Sequence, residues 1–66
     1  MSVATLDELF EWMEDFDNDE LLPDERQYQL ENAVVEFNEN HNTTYKRTQS
    51  FNQYESWRRK KNQPDY

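Results

Sequence analysis

Carboxylates are the most abundant groups in this chain that could do chemistry. Residues 1–40 hold 13 acids and one base, and residues 41–66 hold two acids and six bases, so the two parts carry formal charges of −12 and +4. Glu11 and Asp15 stand one helical turn apart, as an acid–base pair on one helix face would. Such chemistry also needs a desolvated carboxyl group in a cleft, and a chain of 66 residues has little room for one. We therefore expect no enzymatic activity.

Two further patterns suggest metal binding, and neither is complete. Asp15 to Glu20 resembles the start of a calcium loop, but the central Gly is missing and Arg26 stands in the place of the last Glu ligand. His41 is the only His and Cys is absent, so a zinc site is not expected. Without Gly, a phosphate-binding loop is not expected either. The sequence therefore predicts neither a metal nor a cofactor.

The basic part of the chain interleaves cations with aromatic side chains. Lys and Arg contact phosphates, and unpaired bases stack on side chains such as those of Tyr54 and Trp57. The cations are Lys46, Arg47, Arg58, Arg59, Lys60 and Lys61. The net charge of −8 and the isoelectric point near 4.4 argue against nucleic-acid binding, because such modules are usually basic. A nucleic-acid-binding module formed by residues 45–61 is therefore an alternative rather than the first expectation.

Two helices are expected in the acidic part of the chain. Thr5-Leu6-Asp7-Glu8 is a capping box and predicts a helix over 6–16. The turn-forming residues Asp17-Asn18-Asp19-Glu20 should end this helix. Pro23 suits the first position of a second helix, which we predict over 23–40.

A third helix is expected over 51–61, because Ser50 and Gln53 form another capping box and cations fill the last turn. Residues 41–49 should then form a polar connector. We predict an all-α fold of three helices, as one small domain over 1–66 with frayed ends, because so short a chain has a thin stability margin. The predicted core is Leu6, Leu9, Phe10, Met13, Phe16, Leu30, Val34, Phe37, Phe51, Tyr54 and Trp57.

The concentration of acids is the main indication of function. Solubility does not require a charge of −12 within 40 residues, and carboxylates on helices resemble phosphates in sign and rough spacing. We expect a cytoplasmic regulatory protein that binds, and modulates or inhibits, a partner protein with a basic surface. The expected partners include nucleic-acid-binding proteins, and the chain would act on such a partner as a nucleic-acid mimic. The expected contact residues are Asp7, Glu8, Glu11, Trp12, Glu14, Asp15, Tyr28, Glu31 and Val35.

Tyr28 and Val35 lie seven residues apart, on the face of the second helix opposite its main apolar stripe. Such a pair tends to mark a contact, so a homodimer is a further expectation. A self-assembling structural or adaptor protein, joined through its acidic and basic parts, is a second alternative. No secretory signal or long apolar run is present, and we expect no membrane contact. Small size, acidity and the lack of Cys and Gly are typical of accessory proteins of bacteriophages and other mobile elements.

Overall fold

Three helices joined by two short connections make up this structure, a computed structural model that describes residues 4–62. Helix α1 spans Leu6–Phe16, α2 spans Pro23–His41 and α3 spans Arg47–Asn62. The predicted all-α fold of three helices is confirmed, and the described part of the chain contains no strand. None of its helices is long and apolar enough to cross a membrane. The predicted fraying of the two chain ends lies outside the described residues.

Helix α1 begins and ends where the sequence predicts. Thr5 is its N-cap, and the Thr5 hydroxyl accepts a hydrogen bond from the backbone amide of Glu8 at 3.3 Å. This bond satisfies one of the amides that have no partner within the first helical turn. Leu9, Phe10 and Met13 lie on the predicted apolar face, and all three are buried. The bounds of α1 are therefore fixed by local signals in the sequence.

Replacement of Thr5 by Ala tests this cap. We expect Thr5→Ala to lower the free energy of unfolding by about 1 kcal/mol, because the Glu8 amide loses its acceptor. Thr5→Ser keeps the hydroxyl and should change the free energy little. Urea unfolding followed by circular dichroism measures both variants, and equal stability of the Ala and Ser variants would mean that the cap does not contribute.

Helix α2 ends at His41, one residue later than predicted, and the chain turns at Asn42. Asn42 has φ 54° and ψ 48°, which is a left-handed conformation. Gly most often adopts this conformation at the end of a helix, and Asn is one of the few other residues that adopt it. Asn38 then holds the connection to α3. Its Oδ1 accepts from the Tyr45 amide at 3.0 Å, and its Nδ2 donates to the Tyr45 carbonyl at 2.8 Å. The connection is shorter than the polar segment predicted over 41–49.

Helix α3 begins at Arg47, four residues before the predicted start, and the predicted cap at Ser50 is wrong. The Ser50 amide donates to the carbonyl of Lys46 at 2.8 Å, which is the repeat of an α-helix, and Ser50 is only 2% exposed. The preceding Tyr45 packs against the core, and its hydroxyl donates to the carbonyl of Ala4 at 2.9 Å. Because of these long-range contacts, α3 begins about one helical turn before the capping box at Ser50.

Helix α2 lies between the other two helices and runs antiparallel to α1. Gln29 donates to the carbonyl of Phe16, and Trp12, one turn earlier in α1, donates to the carbonyl of Ala33, one turn later in α2. The fully buried core is formed by Ala4, Leu9, Phe10, Met13, Leu30, Ala33, Val34, Phe37 and Tyr54.

Four residues of the predicted core are only partly buried and pack at its edge, namely Leu6, Phe16, Phe51 and Trp57. The reason is the size of the domain. A small domain has a large surface relative to its volume, and three of these four side chains are large aromatic groups. Their rings therefore cover the core without being enclosed by it.

Candidate partner-binding surface

The carboxylate of Asp17, directly after α1, is the centre of an ion-pair cluster at one end of the bundle. Arg26 of α2 donates to it from Nε at 2.7 Å and from Nη2 at 2.8 Å, in a bidentate pair. From α3, the hydroxyl of Tyr54 donates at 2.6 Å and Nη1 of Arg58 donates at 2.7 Å. The Asp17 side chain is 6% exposed. A single carboxylate therefore connects all three helices.

Two more acids complete this Asp17 cluster. Glu55 of α3 pairs with Nη1 of Arg26. Asp19, in the turn before α2, accepts from Nη1 and Nη2 of Arg58 at 3.0 and 2.9 Å. Within residues 4–62, every buried side-chain nitrogen and oxygen has a hydrogen-bond partner. Part of the attraction between the acidic and basic parts of the sequence is thus satisfied inside one molecule.

Arginine side chains decide the ionisation of this cluster. Burial alone raises the pKa of Asp17, but hydrogen bonds from Arg26 and Tyr54 and the charges of Arg26 and Arg58 outweigh it and hold the pKa below 3.8. Burial, together with the hydrogen bond to Asp17, raises the pKa of the Tyr54 hydroxyl. The hydrogen bond from Arg58 lowers the pKa of Asp19. Two carboxylates of the segment that resembles a calcium loop are therefore ionised and bound to guanidinium groups.

Two of the six predicted nucleic-acid-binding cations lie in intramolecular ion pairs. Arg58 belongs to the Asp17 cluster. Lys61 binds both carboxylate oxygens of Glu14 at 3.1 Å, and its Nζ lies 4.8 Å from the centre of the Trp57 ring. The other four are exposed, namely Lys46, Arg47, Arg59 and Lys60.

The aromatic side chains of the basic segment face the interior of the protein. Tyr54 is fully buried, with its ring centroid 6.3 Å from that of Phe10 and 5.8 Å from that of Trp57. Trp57 is half-buried and lies 5.4 Å from Phe10. Stacking of a nucleobase needs a ring face that the base can reach. Tyr54 offers no such face in the folded protein, and Trp57 has Lys61 over its ring.

The acids on the outer sides of α1 and α2 are in a different situation. Eight of them are exposed and form no ion pair within residues 4–62, namely Asp7, Glu8, Glu11, Asp15, Asp24, Glu25, Glu36 and Glu39. These residues are named the acidic face. Four of the predicted contact residues belong to it, all of them on α1.

Two other predicted contact acids take part in contacts within the chain. Glu14 pairs with Lys61 and keeps a side chain 41% exposed. Glu31 is half-buried, and its Oε2 accepts from Nε2 of Gln27 at 2.9 Å and from the hydroxyl of Thr48 at 3.4 Å. The charge of Glu14 is therefore partly compensated by a cation, whereas Glu31 is held in place by neutral donors and keeps its charge.

Trp12, another predicted contact residue, lies between α1 and α2. Its indole Nε1 donates to the carbonyl of Ala33 at 3.0 Å. Its ring centroid lies 5.8 Å from that of Phe37 and 5.8 Å from that of His41. The half-buried Trp12 thus packs α1 against α2.

Tyr28 and Val35 are exposed on α2, at 70% and 36%. They do not form one patch. Tyr28 borders a groove between α1 and α2 that is also lined by Phe16. Val35 borders a depression on the α3 side, which is lined by residues 45–49. The two side chains therefore belong to separate surfaces of α2.

Arg26 and Leu22 are not among the predicted site residues, yet both are prominent in the structure. Arg26 is the only base among residues 1–40, and a lone base among many acids is a signal for a structural ion pair. Leu22 is 67% exposed just before α2. Its neighbour Pro23 fixes the helix start, which explains the position of Leu22 but not its apolar character.

Comparisons of the chain with protein-family models, curated proteins and solved structures gave no match. The surface chemistry described above is therefore the basis on which a function can be proposed.

Proposed function

We propose that this protein is a non-enzymatic regulatory protein that binds a basic surface of a partner protein through its acidic face. It modulates or inhibits the partner by covering that surface. The main support is a difference between the cations and the acids in how many of them form ion pairs within the chain. Arg26, Arg58 and Lys61 lie in ion pairs inside the chain, whereas the acids of the acidic face have no cation partner among the described residues.

Uncompensated carboxylates on the surface of a small domain repel each other and lower its stability. On a helix, side chains three or four residues apart are neighbours, with Cβ atoms about 5–6 Å apart. Glu8, Glu11 and Asp15 therefore form a row of negative charge along α1. Such a field attracts a basic surface over a Debye length of about 8 Å at physiological salt, and it raises the association rate.

A protein with a groove that binds nucleic acid is the partner class with the best fit. Lys and Arg line such grooves because they neutralise phosphates. Carboxylates in a row on a rigid helix present the same sign of charge at a rough phosphate-like spacing. The acidic face would then compete with nucleic acid for the groove of the partner.

The two alternatives receive less support from the described residues. Direct nucleic-acid binding would have to use exposed cations without Arg58 and Lys61, which are paired, and without the buried ring of Tyr54. Self-assembly through opposite charges receives less support because Asp17 and Glu14 of the acidic part already pair with Arg58 and Lys61 of the basic part within one molecule. We therefore favour a basic protein as the partner.

Charge reversal on α1 tests the proposal. We expect the double variant Glu11→Lys with Asp15→Lys to bind the partner about tenfold more slowly at low salt, because attraction is replaced by repulsion at two exposed positions. The protein is immobilised, partners are captured from a nuclease-treated cell lysate and identified by mass spectrometry, and association rates are measured with the captured partner. Circular dichroism should show unchanged helix content.

The matched control reverses two exposed cations of α3, Arg59→Glu with Lys60→Glu, and it should leave partner binding intact. Both double variants change the formal charge by the same amount in opposite directions. Loss of binding in the α3 variant but not in the α1 variant would contradict the proposal and favour nucleic-acid binding. Capture of nucleic acid rather than a basic protein would contradict it as well.

A further inference from the structure

A groove with an apolar floor runs along α2, next to Phe16 at the end of α1 and Leu21 of the connection between the two helices. It consists of two adjoining depressions of about 220 and 350 Å³. Tyr28 and Gln29 line both depressions, so they continue into one another along α2. Phe16 and Ala33 line one end, and Leu21 lines the other. This continuous depression is named the Tyr28 groove.

Two large apolar side chains, one that lines the Tyr28 groove and one that is adjacent to it in sequence, are left exposed by the fold. Tyr28 is 70% exposed, and Leu22, next to the groove residue Leu21, is 67% exposed. Other large apolar side chains of the described chain are at least half-buried, apart from Val35 on the other side of α2. Tyr is among the side chains that most often dominate the binding energy of an interface. The groove therefore has the apolar part of a contact surface.

The charged residues that line the Tyr28 groove are all acids. They are Asp24, Glu25 and Glu36, each of them part of the acidic face. An acidic occupant would be repelled, and an uncharged apolar occupant would desolvate these carboxylates without compensation. Lys or Arg side chains on both flanks of an apolar stripe would compensate them. Charge and apolar area together therefore specify a basic and amphipathic occupant.

The length of the groove indicates the shape of that occupant. Asp24 and Glu36 are twelve residues apart on α2, which corresponds to about 18 Å at 1.5 Å per residue. A helix of three to four turns has this length. The side chains of two packed helices leave grooves into which the ridges of another helix fit. An amphipathic helix laid in an apolar groove is also a common mode of peptide recognition.

We infer that the Tyr28 groove is the docking site for a basic amphipathic helix of the partner protein. Apolar side chains of that helix pack on Tyr28 and Leu22, and its Lys and Arg side chains pair with the acids of the rim. The inference rests on the proposed function, because it specifies which basic surface is recognised and where.

A second copy of this chain fits the groove less well. Its exposed cations Arg59 and Lys60 lie on α3, but the exposed residues beside them are polar, namely Asn52, Gln53 and Ser56. The apolar side chains near Lys60, those of Leu6, Phe10 and Trp57, are buried or half-buried and line a depression, so they form no ridge that would enter the groove of another copy.

A designed peptide probes the groove directly. The probe is a fluorescein-labelled peptide of about 15 residues of Leu and Lys, with Leu at the i, i+3, i+4 and i+7 positions of one helix face. A scrambled peptide of the same composition lacks that face. We expect the protein to bind the amphipathic peptide about tenfold more tightly than the scrambled one in fluorescence anisotropy at about 0.15 M salt.

Exposed apolar positions supply the matched variants. Tyr28→Ser with Leu22→Ser should reduce binding of the amphipathic peptide to the level of the scrambled peptide, whereas Val35→Ser should not change it, since Val35 lies outside the groove. All three positions are exposed, and circular dichroism should show intact helices. Equal binding of the two peptides, or equal loss in the Val35 variant, would overturn the inference.

The failure of this inference can be told apart from the failure of the proposed function. If partner capture depends on Glu11 and Asp15 but not on Tyr28 and Leu22, the groove is wrong and the acidic face stands. If the peptide needs Tyr28 and Leu22 but no basic partner is captured, the groove binds helices and the proposed function is wrong. Tighter binding of a Leu–Glu peptide, or concentration-dependent dimers in sedimentation that the Tyr28 variant abolishes, would overturn the choice of a basic partner helix.

Discussion

Asp17→Asn is expected to lower the free energy of unfolding by about 3 kcal/mol, because it removes the carboxylate that Arg26, Tyr54 and Arg58 share. Asn keeps the size and shape of the side chain but carries no charge, so Arg26 loses its bidentate counter-ion and Arg58 loses one of its two. A domain of this size has a total stability of only about 3–5 kcal/mol. We therefore expect the variant to melt at least about 10 °C lower in thermal unfolding followed by circular dichroism.

Asp19→Asn is the matched control for this substitution. Asp19 is exposed, and its carboxylate accepts side-chain hydrogen bonds from Arg58 alone among the described residues. The loss of its charge should therefore change the melting temperature little. If the two variants are equally stable, the Asp17 cluster does not hold the helices together. Parallel measurement of Tyr54→Phe shows how much of the effect comes from the hydroxyl hydrogen bond.

Acid titration provides a second measurement of the same cluster. The folded state holds the pKa of Asp17 below its ordinary value of 3.8, so it binds a proton less readily than the unfolded chain. The stability that the carboxylate contributes is fully present above 3.8 and is lost as the pH falls through the lower pKa of the folded state. The difference in stability between the natural chain and Asp17→Asn should therefore shrink as the pH falls below 3.8. A constant difference down to the acid transition would contradict this assignment.

Phe37→Ala is expected to unfold most of the protein at 25 °C. Phe37 is 1% exposed at the centre of the core, and its ring contacts Trp12 of α1, His41 of α2 and Tyr45 before α3. Loss of a buried Phe side chain costs about 3–5 kcal/mol through lost burial and the cavity that remains. That loss is comparable to the whole stability of a domain this small. The fraction of helix at 222 nm, with and without a stabilising osmolyte, measures the effect.

Val35→Ala serves as the control on the same helix. Val35 is 36% exposed, so its truncation removes little buried area and should leave helix content and melting temperature nearly unchanged. Intact helix content in Phe37→Ala would mean that the core rearranges to fill the cavity. In that case the packing described around Phe37 would not be needed for the fold.

Local signals were sufficient to predict the helices wherever no distant contact opposed them. Thr5 capped α1 and Pro23 began α2 as predicted, because both effects act within one helical turn. The prediction failed at the start of α3, where Ser50 matches a capping box but lies inside the helix. Packing of Tyr45 on the core and its hydrogen bonds with Asn38 carry more energy there than one capping bond.

The negative charge of the candidate surface could be predicted from the sequence, but the set of residues that form the surface could not. The acids of α1 stand away from the apolar stripe by spacing alone, so their exposure follows from the 3.6-residue repeat. Which acids keep an uncompensated charge depends on residues far away in the chain, since Glu14 meets Lys61 and Asp17 meets Arg58. Likewise, the spacing of Tyr28 and Val35 predicts that both lie on the face of α2 opposite its main apolar stripe. Only the positions of α1 and α3 show that they border different surfaces.

The sequence by itself determined the three helices, the apolar stripes of α1 and α2 and the separation of acidic from basic residues. Each of these follows from interactions within a few residues or from composition. The tertiary structure alone decided that Asp17 joins the three helices, that Trp12 is a packing residue and that a groove forms at Tyr28. Ion pairing, burial and grooves depend on distances between side chains on different helices. Those distances exist only after the helices have packed.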